Sequence, residues 1–466
     1  MSETMALATP PYPAPLRHKA GLLRRFVIGW GSWIHTLFEK SYRMKMGTVR
    51  FPLLRFFVIN DLALVQDVLE EKRCPWPKHG LMTELLRPLM GQSVFSANGA
   101  QWQAQRAMIN PAFAHAGLGR AFPAMRAAAD AMAEQLHRAA MQGPVDMERA
   151  MTAVTADVIF RTLFSQPLAP AQADAVFAAF ARYQRHVQPY AMLRLYRLPL
   201  LGRRRRMARA AADIRALFAP LVDARIMARG ALDQMPAPGD ILDALLDARH
   251  PHTGAPFAPD DLLDQLATLF LAGHETSASA LAWASYLVAC DPALQDDLAE
   301  AIAQVSGKAA LAPEHLKALP MLRHLFQETL RLYPPVSFLM REVTQAQVMR
   351  GKAMRPGDLV VVSPWLIQRN ADHWPCPHAF DPVRFARPES STAAREAWLP
   401  FGKGPRVCIG QGFAMQEAVI VLATLLRHFR LAPAPGPAPE PVSRLTLRAR
   451  RGIPLVLSPR HGLEQA

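Results

Sequence analysis

The chain has 466 residues, 51% of them hydrophobic, and no linker or repeat divides it into the roughly three domains that about 150 residues per domain would suggest. Lys and Arg number 53 against 38 Asp and Glu, a formal net charge of +15 that suits either scattered surface charge or a basic face steering an acidic protein partner. The arginines carry no nucleic-acid recognition motif. Cys74, Cys290, Cys376 and Cys408 form no C-x-x-C pair and no zinc pattern, which argues against a disulfide framework, zinc enzymes and thioredoxin-like chemistry, and for a reducing compartment.

In chain order, residues 1–30 form a leader, irregular or peripheral, with Pro10, Pro11, Pro13 and Pro15 near its start. The apolar run Phe26–Ile34 is far short of the ~20 residues needed to cross a bilayer. With its basic and aromatic neighbours it either lies on a membrane surface or packs on the body as a helix; packing is favoured. Residues 31–466 form a single domain. Thr48–Phe51 and Arg55–Ile59 suggest a strand pair, after which helical periodicity dominates. Helices are expected at Leu62–Glu70, Ala100–Asn110, Leu118–Met141, Met147–Phe164, Pro170–His186, Arg203–Met227, Asp240–Asp247, Asp260–Ala289, Pro292–Val305, Glu314–Leu332 and Gln411–Phe429. Strand-like pieces fall at Leu339–Val343, Leu359–Val362 and Leu445–Leu457. Pro/Gly-rich loops fall at Gly230–Gly239, Arg387–Ala394 and Ala432–Pro441. The fold class is mainly α with a minor β part.

The most informative residue is Cys408. It sits in Phe401-x-x-Gly404-x-Arg406-x-Cys408-x-Gly410, just before a long apolar helical stretch. A helix N-terminus carries partial positive charge and free N–H groups, so it lowers a thiol's pKa and holds the anion. Glycines let backbone approach the sulfur and a flat cofactor.

The longest apolar helix, Asp260–Ala289, is interrupted by Ala272-Gly-His-Glu-Thr-Ser-Ala278. A mid-helix glycine costs about 1 kcal/mol against alanine. Burying Glu275 costs more unless it is paired or protonated. Thr276 can place its hydroxyl on the carbonyl of Ala272. Glu328-Thr-Leu-Arg331 puts acid and base on one helix face, and Arg384 follows in Phe380–Phe385. In Trp102-Gln-Ala-Gln-Arg106 the indole and guanidinium project from adjacent turns.

Taken together and in order, these blocks resemble the cytochrome P450 family, from about Thr48 to the C-terminus. The resemblance implies the P450 fold, a triangular helical domain with a long central helix over haem b and small β-sheets. It implies Cys408 as the iron ligand, with Phe401 packed on the cysteine side of the ring and Gly410 beside the sulfur. Trp102, Arg106 and Arg406 would bind propionates, with Arg341 a third candidate. Thr276 and Glu275 would be catalytic: the threonine orders water, and the acid passes protons inward from solvent. Glu328, Arg331 and Arg384 would lock the segment that leads to the cysteine loop.

The implied activity is monooxygenation: one oxygen atom of O2 enters a hydrophobic organic substrate. Electrons would come from NAD(P)H through a separate ferredoxin or flavodoxin-type donor and its reductase. A bacterial-type monomer in the cytoplasm is expected, without a transmembrane span and with at most weak peripheral membrane contact. Gln368-Arg-Asn370 departs from the usual His-Arg-Asn. Alternatives are a haem-thiolate peroxygenase or isomerase, or a non-catalytic binding protein; the Glu275–Thr276 pair argues against each.

The substrate pocket is expected to draw on the Pro75–Phe95 loop, the connection around Gln188–Leu201, Phe270–Thr276, Val336–Leu339 and Leu445–Leu447. Apolar candidates include Leu81, Met82, Leu85, Leu86, Phe95, Met192, Leu195, Leu269, Val336, Phe338 and Leu339. Arg194, Arg197 and Arg203–Arg206 either hold a carboxylate at the entrance or are surface charge, the latter being favoured.

Overall fold

Proline and aspartate set many of the helix starts. Pro170, Pro259, Pro292, Pro313, Pro320 and Pro364 occupy first-turn positions, where a missing N–H costs nothing. Asp61, Asp146, Asp240 and Asp291 cap others by accepting a backbone N–H. The computed structural model describes residues 8–52, 54–231, 239–307, 309–387 and 396–460.

The helices are α1 (Leu22–Gly31), α2 (Leu62–Leu69), α3 (Gly80–Met90), α4 (Gly99–Ile109), α5 (His115–Ala140), α6 (Met147–Phe164), α7 (Pro170–Leu195), α8 (Arg203–Ala231), α9 (Ile241–Asp247), α10 (Pro259–Ala289), α11 (Pro292–Ser306), α12 (Pro313–Lys317), α13 (Pro320–Leu332), α14 (Pro364–Ile367) and α15 (Gln411–His428). The strands are β1 (Met46–Arg50), β2 (Arg55–Ile59), β3 (Val145–Asp146), β4 (Leu339–Glu342), β5 (Gln347–Met349), β6 (Lys352–Met354), β7 (Leu359–Val362), β8 (Phe429–Pro433), β9 (Pro441–Ser443), β10 (Leu447–Ala449) and β11 (Pro454–Pro459). The largest sheet has the order β1-β2-β7-β4, with only the β2/β7 pair parallel. Smaller sheets are β3-β11-β8, β9-β10 and β5-β6.

Helix α10 runs through the core between α6, α8, α13 and α15. From Asp264 to Ala289 every residue is buried except Ala272, Gly273 and Thr276. Around its C-terminal half, Trp283 stacks on Tyr333 with ring centres 4.0 Å apart.

Several expectations need correction. Leu22–Gly31 is a helix packed on α7, the favoured reading of that stretch, so of the leader only the description as irregular up to residue 30 fails. The Pro75–Phe95 stretch holds α3, because burial of Leu81, Leu85, Leu86, Leu89 and Met90 outweighs the proline at position 88. Helix α7 likewise runs through Pro189 to Leu195, held by buried Tyr183, Val187, Tyr190 and Ala191. Glu314–Leu332 is two helices, because Leu319 precedes Pro320 and leaves the helical region at φ −115°, ψ 55°. Leu445–Leu457 is two strands in different sheets. They are parted at Gly452, whose φ is 78° and whose Cβ, if present, would lie 2.6 Å from the Asp146 carboxylate. The expected loops at 230–239 and 387–394 lie mostly outside the described residues.

Candidate active site

The loop before α15 is pinned by its own backbone. The Cys408 N–H donates to the Phe401 carbonyl at 2.9 Å and the Val407 N–H to Gly404 at 3.0 Å. Phe401 packs edge-on to Trp398, centroids 5.7 Å apart, and the Trp398 indole donates to the Gln327 carbonyl. Gly404 has φ 75°, and a Cβ there would stand 2.2 Å from the Leu69 carbonyl oxygen, so only glycine fits. Gly410 is different: a Cβ there would meet only the Cys408 sulfur, at 3.9 Å, an ordinary contact. Its contribution is its N–H, which lies by the sulfur and favours the charged form.

Cys408 has accessible surface although protein atoms enclose it on nearly all sides, the signature of a group facing an internal hollow. Burial pushes the free thiol up; the Gly410 N–H and the Arg106 guanidinium pull the other way. Without a bound cation the first effect wins, so the helix terminus alone does not make this sulfur a thiolate. The site needs a metal to complete that change.

Four cations converge beside this loop. Arg106 from α4 donates to the Val407 carbonyl at 2.8 Å and to Asn110 at 2.7 Å. Arg406 donates to the Ala97 carbonyl and Asn98, and its guanidinium lies 4.3 Å from the centre of the Trp102 ring. Arg341 in β4 is buried, and desolvation together with Arg406 depresses its pKa to about 10. Lys78 is the fourth and was not foreseen. Burial and the charges of Arg406, Arg341 and Arg106 hold it well below the usual lysine range. Among the described residues, the one carboxylate within salt-bridge reach of any of the four is Glu71, 3.7 Å from Arg406 Nε, and that buried Nε has no hydrogen-bond partner there. Such a cluster calls for anionic oxygens. A thiol in a glycine-bounded loop with four under-neutralised cations fits haem, which brings an iron for the sulfur and two carboxylates for the cations. Among the described residues, no group of three or more His, Cys, Asp or Glu side chains could hold a metal ion.

On α10, the Thr276 hydroxyl donates to the Ala272 carbonyl at 2.7 Å, as the spacing suggests. Gly273 serves packing: a Cβ there would lie 3.0 Å from Ile159 of α6. Glu275 is not open to solvent. It is buried, accepting from Thr446 at 2.7 Å and from Arg448 at 3.1 and 2.6 Å. Despite the burial penalty, the Arg448 charge holds its carboxyl well below the usual range. Its neighbour His274 donates a ring N–H to the Phe270 carbonyl and is kept neutral by burial. Sequence reasoning missed Thr446 and Arg448, which arrive on the C-terminal hairpin some 170 residues away in sequence.

Glu328 and Arg331 on α13 form the expected pair, fully buried, at 2.7 and 2.8 Å. Arg384 and the Asp381 N–H both reach Glu328 Oε1, and Arg331 also bonds the carbonyls of Gln368, Pro377 and Ala379. Gln368, the departure from His, donates to the Leu330 and Arg331 carbonyls and accepts from the Leu399 N–H, tying this knot to the cysteine loop.

An apolar cavity of about 230 Å³ is bounded by Ala272, Glu275 and Thr276. Leu81, Met82, Leu85, Leu86, Phe95, Leu195, Val336 and Phe338 line it as expected. Met192, Leu269 and Leu339 do not; Met192, for example, packs on Gly29 of α1. The arginines 194, 197 and 203–206 are also absent from its wall. Arg194 pairs with Glu84 and Arg203 lies over Trp30.

A helical domain that presents one cysteine at a helix start, cations beside it and a threonine-notched central helix defines the haem-thiolate class of oxidoreductase. The family model for Cytochrome P450 matches residues 26–455, and the chain belongs to that family. It is 31% identical to cyclooctatin synthase of Streptomyces melanosporofaciens over 84% of each chain. It is also 31% identical to cyclooctat-9-en-7-ol 5-monooxygenase of the same organism over 83% of each chain. Cytochrome P450 4A11 of Homo sapiens is 30% identical over 82% of this chain and 76% of that protein. The protein is therefore a haem monooxygenase. Among the described residues, no helix is long and apolar enough to cross a membrane.

Proposed function

We propose that the chain binds haem b through Cys408 and hydroxylates, or similarly oxidises, a hydrophobic compound held in the cavity under α10. The observation that carries this reading is the Cys408 loop itself, which carries Arg406, accepts a bond from Arg106 at Val407 and has Lys78 and Arg341 gathered about those arginines, with Glu71 as the one carboxylate in reach among the described residues. In it the four cations hold the propionates, and Trp102 keeps Arg406 in place by stacking. Phe401 flanks the sulfur, and the Gly410 N–H lies by it, which tempers the thiolate's donor strength. Bound haem supplies the dioxygen chemistry, with the thiolate's electron density favouring O–O cleavage.

The remaining work falls to side chains. Thr276 spends its only proton on Ala272, so towards the cavity it offers lone pairs alone. It can hold a water or a protonated oxygen in place but has no free hydrogen to give. Glu275 passes protons only when it leaves Arg448, so proton delivery includes a side-chain rotation. Electrons come from a separate ferredoxin or flavodoxin-type donor and its reductase, drawing on NAD(P)H, in the cytoplasm, with the enzyme acting as a monomer.

The test is the carbon monoxide difference spectrum of the reduced protein. The wild type should show the red-shifted Soret band of thiolate ligation, and Cys408→Ser should lose it. A wild-type band without that shift rejects the assignment.

A further inference from the structure

Arginines 194 to 206 do not reach the cavity, but Lys19 and Arg25 line its wall. The same two residues also line a second hollow, a more open basin of about 560 Å³ between the N-terminal segment and the main sheet. Its other charged walls are Arg50, Arg55 and Lys352. Two side chains thus belong at once to an apolar cavity that ends at Thr276 and to a basin with five cations.

These cations have little to neutralise them. Arg55 is paired, with Asp358. Lys19 donates to the Thr48 carbonyl, and Arg25 donates to the carbonyls of Arg50 and Ala20 while lying 5.4 Å from the Phe51 ring centre. Among the described residues, no carboxylate stands within salt-bridge reach of Lys19, Arg25, Arg50 or Lys352. After burial, the charges of Arg25, Arg50 and Lys352 are what hold Lys19 below its usual range. Backbone carbonyls orient these groups without cancelling their charge. A set of like charges held together by the fold is relieved by an anion.

We propose that this basin binds the oxyanion head group of the substrate, a carboxylate or phosphate monoester, while its hydrocarbon tail enters the cavity toward Thr276. This rests on the cavity being the oxidation site. The substrate is then an anionic amphiphile oxidised away from its head, with Lys19 and Arg25 at the junction of head and tail. Val49, Phe56 and Val58 line the cavity from the face of β1 and β2 opposite to the one that bears Thr48, Arg50, Arg55 and Phe57, so head and tail join around the edge strand β1, where Lys19 and Arg25 line both hollows.

The haem-loaded full chain is titrated with dodecanoate, dodecyl phosphate, methyl dodecanoate and dodecanol, following the low-to-high-spin shift. One of the two anions should bind at least about ten-fold more tightly than the ester and the alcohol. The tighter anion identifies the head group. That advantage should shrink when salt is raised from about 0.02 to about 0.5 M, because exposed charges are screened. Lys19→Gln/Lys352→Gln should remove the advantage, and Lys19→Glu/Lys352→Glu should shift preference to dodecyltrimethylammonium, a cation with no lone pair for the iron. Equal binding of acid, phosphate, ester and alcohol by the wild type overturns the proposal without any variant. An anion preference untouched by both variants overturns it too. So does loss, in the variants, of binding to anionic phospholipid vesicles with dodecanoate and dodecyl phosphate affinity unchanged, which would make the basin a membrane contact. Failure of the haem reading shows separately, as a carbon monoxide complex without the thiolate-type band.

Discussion

The Glu275 carboxylate and the Arg448 guanidinium form a two-pronged ion pair, Oε2 to Nη2 at 2.6 Å and Oε1 to Nε at 3.1 Å. It joins the centre of α10 to the C-terminal hairpin, beside the hydroxyl that the monooxygenase reading places at the chemistry. Thr446 adds a third bond to the same acid. The pair explains why a carboxylate is tolerated in the middle of an otherwise apolar helix.

Breaking it should be costly. Arg448→Met strands a buried carboxylate, and destabilisation of about 3 kcal/mol is expected. That is the low end for a buried pair, since 21% of the Arg448 side chain is exposed. Glu275→Gln/Arg448→Met should recover most of the loss. Denaturant unfolding of the four proteins gives the coupling energy. The pair also carries a pH signature: Glu275 is depressed in the folded state, so its contribution is present above the ordinary carboxylate range and lost as pH falls through and below it. A double variant no more stable than Arg448→Met would show that the pair is not coupled.

The knot at Glu328 should be less forgiving. Its carboxylate takes bonds from Arg331, Arg384 and the Asp381 N–H with no exposed surface. Glu328→Ala leaves two buried guanidinium groups without their anion, at a cost of roughly 3–5 kcal/mol. Because Gln368 ties the knot to Leu399, the cysteine loop should loosen with it. The expected outcome is protein recovered without haem, measured by the ratio of Soret to protein absorbance. Glu328→Ala with normal haem content would refute the role.

These two clusters were unequally legible in the sequence. Glu328–Arg331 is local, three residues apart on one helix, and the cysteine loop and the Ala272–Thr276 block carry their geometry in their spacing. Arg448 carries none: it is one of several arginines at 444, 448, 450 and 451, and only strand alternation in a distant hairpin turns it toward α10. Lys78 follows Pro77 with no periodicity to mark it. Helix α3 was hidden by Pro88, whose local cost is outweighed by burial that no window of sequence displays. The arginine run 203–206 is surface charge, the favoured of its two readings, and the cations that line the cavity wall, Lys19 and Arg25, stand about 180 residues earlier in the chain with no motif to mark them.

Thr276→Ala should leave folding nearly unchanged, since the lost bond to Ala272 is a local side-chain contact worth about 1 kcal/mol. Its effect should appear in coupling. Without lone pairs at this position nothing orders the distal water, so NAD(P)H consumption should continue while product falls and hydrogen peroxide rises. Thr276→Ser should restore most of the coupling, because it keeps the hydroxyl and its bond to the carbonyl. Unchanged stoichiometry of reductant to product in Thr276→Ala would remove the residue from the reaction.

Glu417 should be a neutral acid at pH 7. It lies fully buried on α15, with Oε2 unpartnered and the Ser277 side chain as its hydrogen-bonding neighbour, next to Thr276. Burial pushes its pKa up to about 8, only partly offset by Ser277. The folded state therefore holds a proton that the unfolded chain releases near pH 4.5, so stability falls as pH rises from about 4.5 to about 8 and levels off above. The slope from this group approaches about 1.4 kcal/mol per pH unit inside that window. Glu148, raised to about 7 chiefly by burial, contributes with the same sign at lower pH. Glu417→Gln keeps the shape without the proton, so it should gain stability over the wild type across the window and hold that gain at higher pH. Infrared spectroscopy should show a protonated carboxyl stretch in the wild type that this variant lacks. Parallel stability curves for the two proteins from pH 5 to 9 would mean that Glu417 is already ionised and that an unseen partner satisfies its second oxygen.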